Sequence, residues 1–166
     1  MTKKAIFLLA VTICGLSLHA ETFDKYVGIQ GAYGKETKSP GLGIHVAEDW
    51  GCHFRTNLSF NYFFKHNGIT HLGGDIEWNY LLNLGKHWRL GPLTGVGAYL
   101  SWWEQEEHVG MTTYKTTETG IKVGLNLGGS MEFRVNERWA ITGDVRCQFI
   151  SGKRRPLFYL GISRVR

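Results

Sequence analysis

Only three cysteines occur in the 166 residues, and one of them, Cys14, lies in an apolar N-terminal run. The other two, Cys52 and Cys147, lack metal-ligand spacing and are too few for a disulfide framework. Cys52 falls near an expected turn and Cys147 inside an expected strand, so no bridge between them is expected. Long apolar runs are scarce as well. Beyond the N-terminal run, no stretch approaches the ~20 residues that a membrane-crossing helix needs. Charge of one sign is also in short supply: the formal net charge is +5, and two of those positives are Lys3 and Lys4. No basic patch is interleaved with aromatics, which argues against a nucleic-acid partner.

Residues 1–20 read as a cleavable signal peptide. Lys3 and Lys4 supply the charged start, Ala5 to Leu18 the apolar centre, and His19-Ala20 the cleavage site before Glu21. A lipoprotein reading through Cys14 is disfavoured by Ile13, which stands where such signals carry a small residue. Export and a single domain over 21–166 are the expectations.

What the remaining chain has in quantity is alternation. Phe54, Thr56, Leu58, Phe60 and Tyr62 fall on one face of an extended segment, and Arg55, Asn57, Ser59 and Asn61 on the other. Ile121, Val123, Leu125 and Leu127 alternate with Lys122, Gly124, Asn126 and Gly128. The blocks recur at roughly ten residues, the length with which a tilted strand crosses a bilayer. Glycine is abundant, 22 residues against an average of about 7%. Many lie inside the blocks, as a tightly curved sheet requires. A soluble β-sandwich shares this alternation, but the leader, the aromatic placement and the inward charges favour an all-β, antiparallel, up-and-down transmembrane barrel. Without a spanning helix, a closed barrel is the other way to satisfy a backbone in lipid.

About eight strands are expected, at 26–34, 41–48, 52–64, 70–83, 87–102, 119–134, 138–150 and 157–165. Three connections are tight: Ala47 to Gly51, Leu84 to His87, and Asn136 to Arg138. Four are looser: Lys35 to Pro40, Lys65 to Ile69, Trp103 to Thr119, and Ser151 to Pro156. Short periplasmic turns and longer outer loops are the usual asymmetry. A tryptophan stands beside each tight turn (Trp50, Trp88, Trp139), where an indole would bridge acyl chains and water. Tyr62, Trp102 and Trp103, with Tyr33 and Phe64, would form the opposite girdle. Alternation turns Arg55, Asp75, Glu77, Lys122, Glu132, Arg134, Asp144 and Arg146 inward, evenly split in sign. Such a balanced set in a narrow barrel predicts a salt-bridged lumen filled by side chains.

The run from Phe54 to Lys65, then Leu90-Gly91-Pro92-Leu93-Thr94-Gly95-Val96-Gly97, resembles the outer-membrane β-barrel (porin-like) family of Bacteroides-type bacteria. So does Gly124-Leu125-Asn126-Leu127-Gly128-Gly129, leading to Phe133 and Trp139. That family is similar to the small OmpX and OmpA barrels, so the resemblance implies an outer-membrane address and no established reaction.

Chemistry is weakly signalled. No His-x-Ser pair would set nucleophile and base on one strand face, so a lipid A-modifying enzyme is the least favoured reading. His45 is expected as a hydrogen-bonded lumen residue. His66 and His71, and His108 behind Glu104, Glu106 and Glu107, lack specific metal spacing; a solvated acidic loop is expected, with no metal and no cofactor. Thr112 to Thr117 favour β structure, so the third loop is expected to project as a hairpin with an edge open to another protein. Lys153, Arg154 and Arg155 in the fourth loop are candidates for lipopolysaccharide phosphates. The expected protein is a monomer in outer-membrane lipid, structural or surface-interactive in adhesion or envelope integrity, and partnered with lipopolysaccharide and envelope or extracellular proteins. A narrow diffusion channel is the alternative.

Overall fold

The computed structural model describes residues 24–36, 38–51, 53–66, 68–109 and 112–166, without the side chains of 103–109 and 112–118. The expected signal peptide over 1–20, and Cys52, lie outside the described residues. Among the described residues, nine strands follow one another: β1 (Lys25–Gly34), β2 (Ser39–Trp50), β3 (Phe54–His66), β4 (Ile69–Tyr80), β5 (Leu82–Asn83), β6 (Trp88–Val109), β7 (Thr112–Asn136), β8 (Trp139–Ile150) and β9 (Lys153–Val165). Sequence neighbours pair antiparallel except β4 and β5, which both pair with β6, and β1 pairs with β9. The two-residue β5 carries the β4 ladder onward along β6, so the barrel closes with eight staves. The ladder lapses opposite Pro92, which has no N–H to offer, and Leu81 donates instead to the His53 carbonyl at 2.6 Å.

Side-chain alternation makes the molecule inside-out. Phe60, Ile44, Ile29, Ile162 and Ile141 are successive register partners across β3, β2, β1, β9 and β8, and all five are exposed. Among the described residues, twenty-one polar or charged side chains are buried against eleven apolar ones. A water-soluble barrel would reverse that balance. The exterior is an apolar belt and the interior is polar.

Two expected loops prove to be strand. The segments 103–109 and 112–119 do not leave the sheet: β6 and β7 keep pairing to Val109↔Thr112 as a projecting hairpin, so Glu104, Glu106 and Glu107 lie in β6. The run 151–156 is mostly β9, because Ser151 and Gly152 make a two-residue turn with φ of 48° and 77°. Two positive φ values match the twist of a hairpin, which leaves no length for a loop. Lys153, Arg154 and Arg155 are therefore strand residues that alternate between faces. The other connections at this hairpin end are also short, 35–38 and 67–68. The opposite turn end carries 51–53, 84–87 and 137–138 together with both termini of the barrel, where Lys25 and Arg166 exchange backbone hydrogen bonds.

Candidate functional site

The interior is stacked in three tiers. At the turn end, inward positions of β2, β3, β6 and β7, with Asp24 just ahead of β1, bring together three acids and three arginines. Arg55 donates to Asp49 at 2.5 Å and 3.2 Å and to Glu132 at 2.5 Å. Arg89 donates to Asp49 at 2.7 Å and lies 3.5 Å from Glu132. Arg134 reaches Asp24, the Tyr26 hydroxyl and Glu132. Tyr26 donates to Asp49 at 3.2 Å, and the Arg55 guanidinium stacks 3.9 Å over its ring. The charges balance, and each guanidinium has acceptors in place, the condition on which buried ions are tolerated.

The middle tier is acidic. Arg146 is 1% exposed and faces three carboxylates: Glu77 in direct contact, and Asp75 and Asp144 at 3.5 Å each. Neutral donors serve the same acids. Asn126 donates to Asp75 at 2.8 Å, Asn57 to Glu77 at 3.2 Å, and Ser130 to Asp144 at 2.6 Å. His45 is hydrogen-bonded to Ser163 at 2.6 Å, across β1 from its own strand. Between the two tiers lies a cavity of about 20 Å³, bordered by His45, Arg55, Asn57 and Asp144. That is room for about one water molecule, not for a solute passage.

Above the middle tier, Ala32, Phe63, Tyr99, Ile150, Leu157 and Tyr159 form an apolar cluster that corks the lumen. Tyr99 and Tyr159 hydroxyls are 3.3 Å apart, and Arg146 stacks 3.7 Å beneath the Tyr159 ring. Beyond this cork, at the hairpin-end mouth, His71 and Ser101 are hydrogen-bonded at 2.8 Å.

Of the residues singled out from sequence, Arg55, Asp75, Glu77, Glu132, Asp144 and Arg146 are gathered in the lumen. Arg134 is partly buried at the turn-end opening. Lys122 departs from the expected network: it is exposed at the hairpin-end mouth and enters none of the described ion pairs, because the acids lie deeper in the barrel. Trp88 and Trp139 are exposed beside their turns, and Trp88 packs on Phe133 at 4.7 Å. Trp50 is partly covered, and its indole N–H is buried without a partner. Tyr62 is exposed and meets Phe64 edge-on at 5.6 Å, while Trp102 is partly covered. The side chains of Trp103, Glu104, Glu106 and Glu107 lie outside the described residues. The basic triplet divides: Lys153 is exposed, Arg154 sits 6.0 Å from the outward Phe149 ring, and Arg155 sits 4.9 Å from the inward Tyr99 ring. It does not act as one patch.

Sequence reasoning missed Asp49, Arg89 and Tyr26, and the aromatic cork. Arg89 was discoverable, since Trp88 faces outward and its successor must face inward. Asp49 was hidden because Glu-Asp-Trp has the composition of a turn, whereas β2 runs on through it to Trp50.

No family model and no curated protein sequence matches this chain. Solved structures do. The chain is similar to a major outer membrane protein of Thermus thermophilus, with TM-score 0.67 and 14% identity over 89% of this chain and 100% of that one. It is also similar to the N-terminal β-barrel domain of Pseudomonas aeruginosa OprF, with TM-score 0.63 and 11% identity over 86% and 97%. Ail, the attachment invasion locus protein of Yersinia pestis, gives TM-score 0.63 and 12% identity over 89% and 100%. At such identities the likeness is one of fold, and the fold is that of the small eight-stranded outer-membrane barrels.

Proposed function

We propose that this chain is an outer-membrane barrel with a structural or surface-interaction role, in envelope integrity or adhesion, and that it does not act as an open pore. One observation carries the reading: an apolar exterior encloses a lumen filled by paired charges and corked by Phe63, Tyr99 and Tyr159. Lipid would cover the row through Ile44, Ile29 and Ile162. Lipopolysaccharide would surround the hairpin end, and the resemblance to the porin-like barrels of Bacteroides-type bacteria fits this reading.

Contact with other proteins has a natural place. The β6–β7 hairpin outruns its neighbours, since β8 pairs with β7 only from Leu125 and β4 with β6 only to Trp103. An unpaired backbone edge of this kind accepts an extended segment from a partner. That Ail is an attachment invasion locus protein makes such a role familiar for this architecture. A non-enzymatic role is supported by the surroundings of the two serine–histidine pairs, His45–Ser163 and His71–Ser101: among the described residues no carboxylate is hydrogen-bonded to either ring, so neither pair has the orienting third member of a triad.

Planar-bilayer conductance tests the reading. The purified protein is expected to leave the bilayer at its leak level. Discrete conductance steps would instead favour the narrow-channel alternative.

A further inference from the structure

The lower two tiers hold acids and arginines in direct contact. The mouth above the cork is different in kind. Tyr99, 1% exposed, forms its floor. The Arg155 guanidinium rests 4.9 Å from the centre of that ring. Lys122 is the register partner of Tyr99 across β6 and β7, and so rises from the same face. Ser101 stands two residues beyond Tyr99 on β6, and its hydroxyl meets the ring of its own register partner His71 at 2.8 Å. Gly73 opposite Tyr99 leaves room for the floor, since a Cβ there would stand 2.9 Å from the ring. Four polar groups from β4, β6, β7 and β9 thus surround one aromatic plate.

Their charge is unbalanced. The charges that bear on the His71 ring are those of Arg155 and Lys122. Neither cation enters any ion pair among the described residues. Two cations, a hydroxyl and an imidazole, placed over a closed floor, match a small tetrahedral oxyanion. We infer that the hairpin-end mouth of the barrel is a binding site for a phosphate monoester group, held by Arg155 and Lys122 with Ser101 and His71 as hydrogen-bond partners. A phosphate monoester brings close to two negative charges and three acceptor oxygens, against one charge and two oxygens for a carboxylate. Stacking on Tyr99 orients the Arg155 fork beforehand, so little side-chain freedom is lost when an anion arrives. The group has two possible sources, a phosphorylated membrane glycolipid or a soluble phosphorylated compound that enters from outside.

The test is calorimetric titration of the full chain, folded in a neutral detergent at low salt, with inorganic phosphate. Saturable one-to-one binding is expected, weakened about tenfold or more in the Lys122→Gln/Arg155→Gln double variant, which corresponds to about 1.4 kcal/mol. Lys86→Gln, in a turn at the opposite end, should bind like the parent. Lys122→Gln alone alters an exposed side chain and keeps the test readable should the double variant fail to fold. Two further arms assign the source. Phosphate-sensitive retention on vesicles of phospholipid with phosphorylated, but not dephosphorylated, lipid A identifies the glycolipid. Competition by glucose 1-phosphate without vesicle retention identifies a soluble compound. Absence of saturable phosphate binding, or equal affinity in parent and Lys122→Gln, overturns the site. These readouts do not depend on whether the barrel conducts.

Discussion

Arg146 meets Glu77 inside the barrel, 69 positions apart in the chain, and both side chains are fully withdrawn from solvent. This contact ties β8 to β4 across the lumen. Asp75 and Asp144 lie against the same guanidinium, which is the only cation of the middle tier's described ion pairs.

Removal of that cation therefore strands three carboxylates. Arg146→Met should destabilise the folded barrel by ~3–5 kcal/mol, the usual cost of an orphaned buried charge. Arg55→Met should cost less, roughly 1.5–3 kcal/mol for lost charged hydrogen bonds, because Arg89 still serves Asp49 and both Arg89 and Arg134 still serve Glu132. Urea midpoints of the detergent-folded variants check the order. Equal losses would contradict the tiered arrangement.

On the opposite face of the wall, Ile29 is 65% exposed at the centre of the isoleucine row. In a bilayer, Ile29→Arg should cost roughly 2–4 kcal/mol, and Leu84→Arg in a turn roughly 0–1 kcal/mol. Vesicle-folded variants unfolded in urea give both values. In a water-soluble protein the exposed arginine would be harmless, so a neutral Ile29→Arg would argue against burial in lipid.

Gly97 is where the lumen tolerates no side chain. A Cβ there would run into the Asp75 carboxylate and stand 2.5 Å from Gln148 Nε2. At Gly129 the nearest atom to a Cβ would be the Gly91 carbonyl at 3.7 Å. Gly97→Ala should destabilise by ~1–3 kcal/mol through overpacking. Gly129→Ala should stay within ~0.5 kcal/mol. The same unfolding assay compares them.

The end of the long hairpin is independent of the barrel in backbone pairing, since Glu104 to Val109 pair with Thr112 to Thr117 and with no other strand. Replacement of residues 105–116 by Asn-Gly should leave folding yield and urea midpoint unchanged while removing most of the free edge. Loss of the folded barrel would show that the hairpin contributes to the wall.

Much of the wall was legible because its code is local. Exposed Ile29, Phe60, Leu125 and Leu160 sit one residue from buried Gln30, Asn61, Asn126 and Gly161, and a period of two needs no knowledge of the partner strand. The cork was not legible, because Leu157-Phe158-Tyr159-Leu160 is apolar throughout and alternation vanishes where both faces are apolar. The fourth loop was overread for a different reason: polar composition at Lys153-Arg154-Arg155 suggested coil, but strands that leave the bilayer are wetted on both faces, whereas the β character of Thr112–Thr117 was readable. Lumen partners such as Arg55 and Glu132 are 77 positions apart, so their inward phase was readable and their pairing was not.

The central claim is a stable barrel embedded in the outer membrane. Its most direct test is gel mobility of the outer-membrane fraction, compared with and without boiling in detergent. A heat-dependent shift of the protein in that fraction is the predicted result, because a closed, internally salt-bridged barrel resists detergent until heated. Recovery in the soluble fraction, with no shift on boiling, would contradict the account and return the alternation to a water-soluble β-sheet protein.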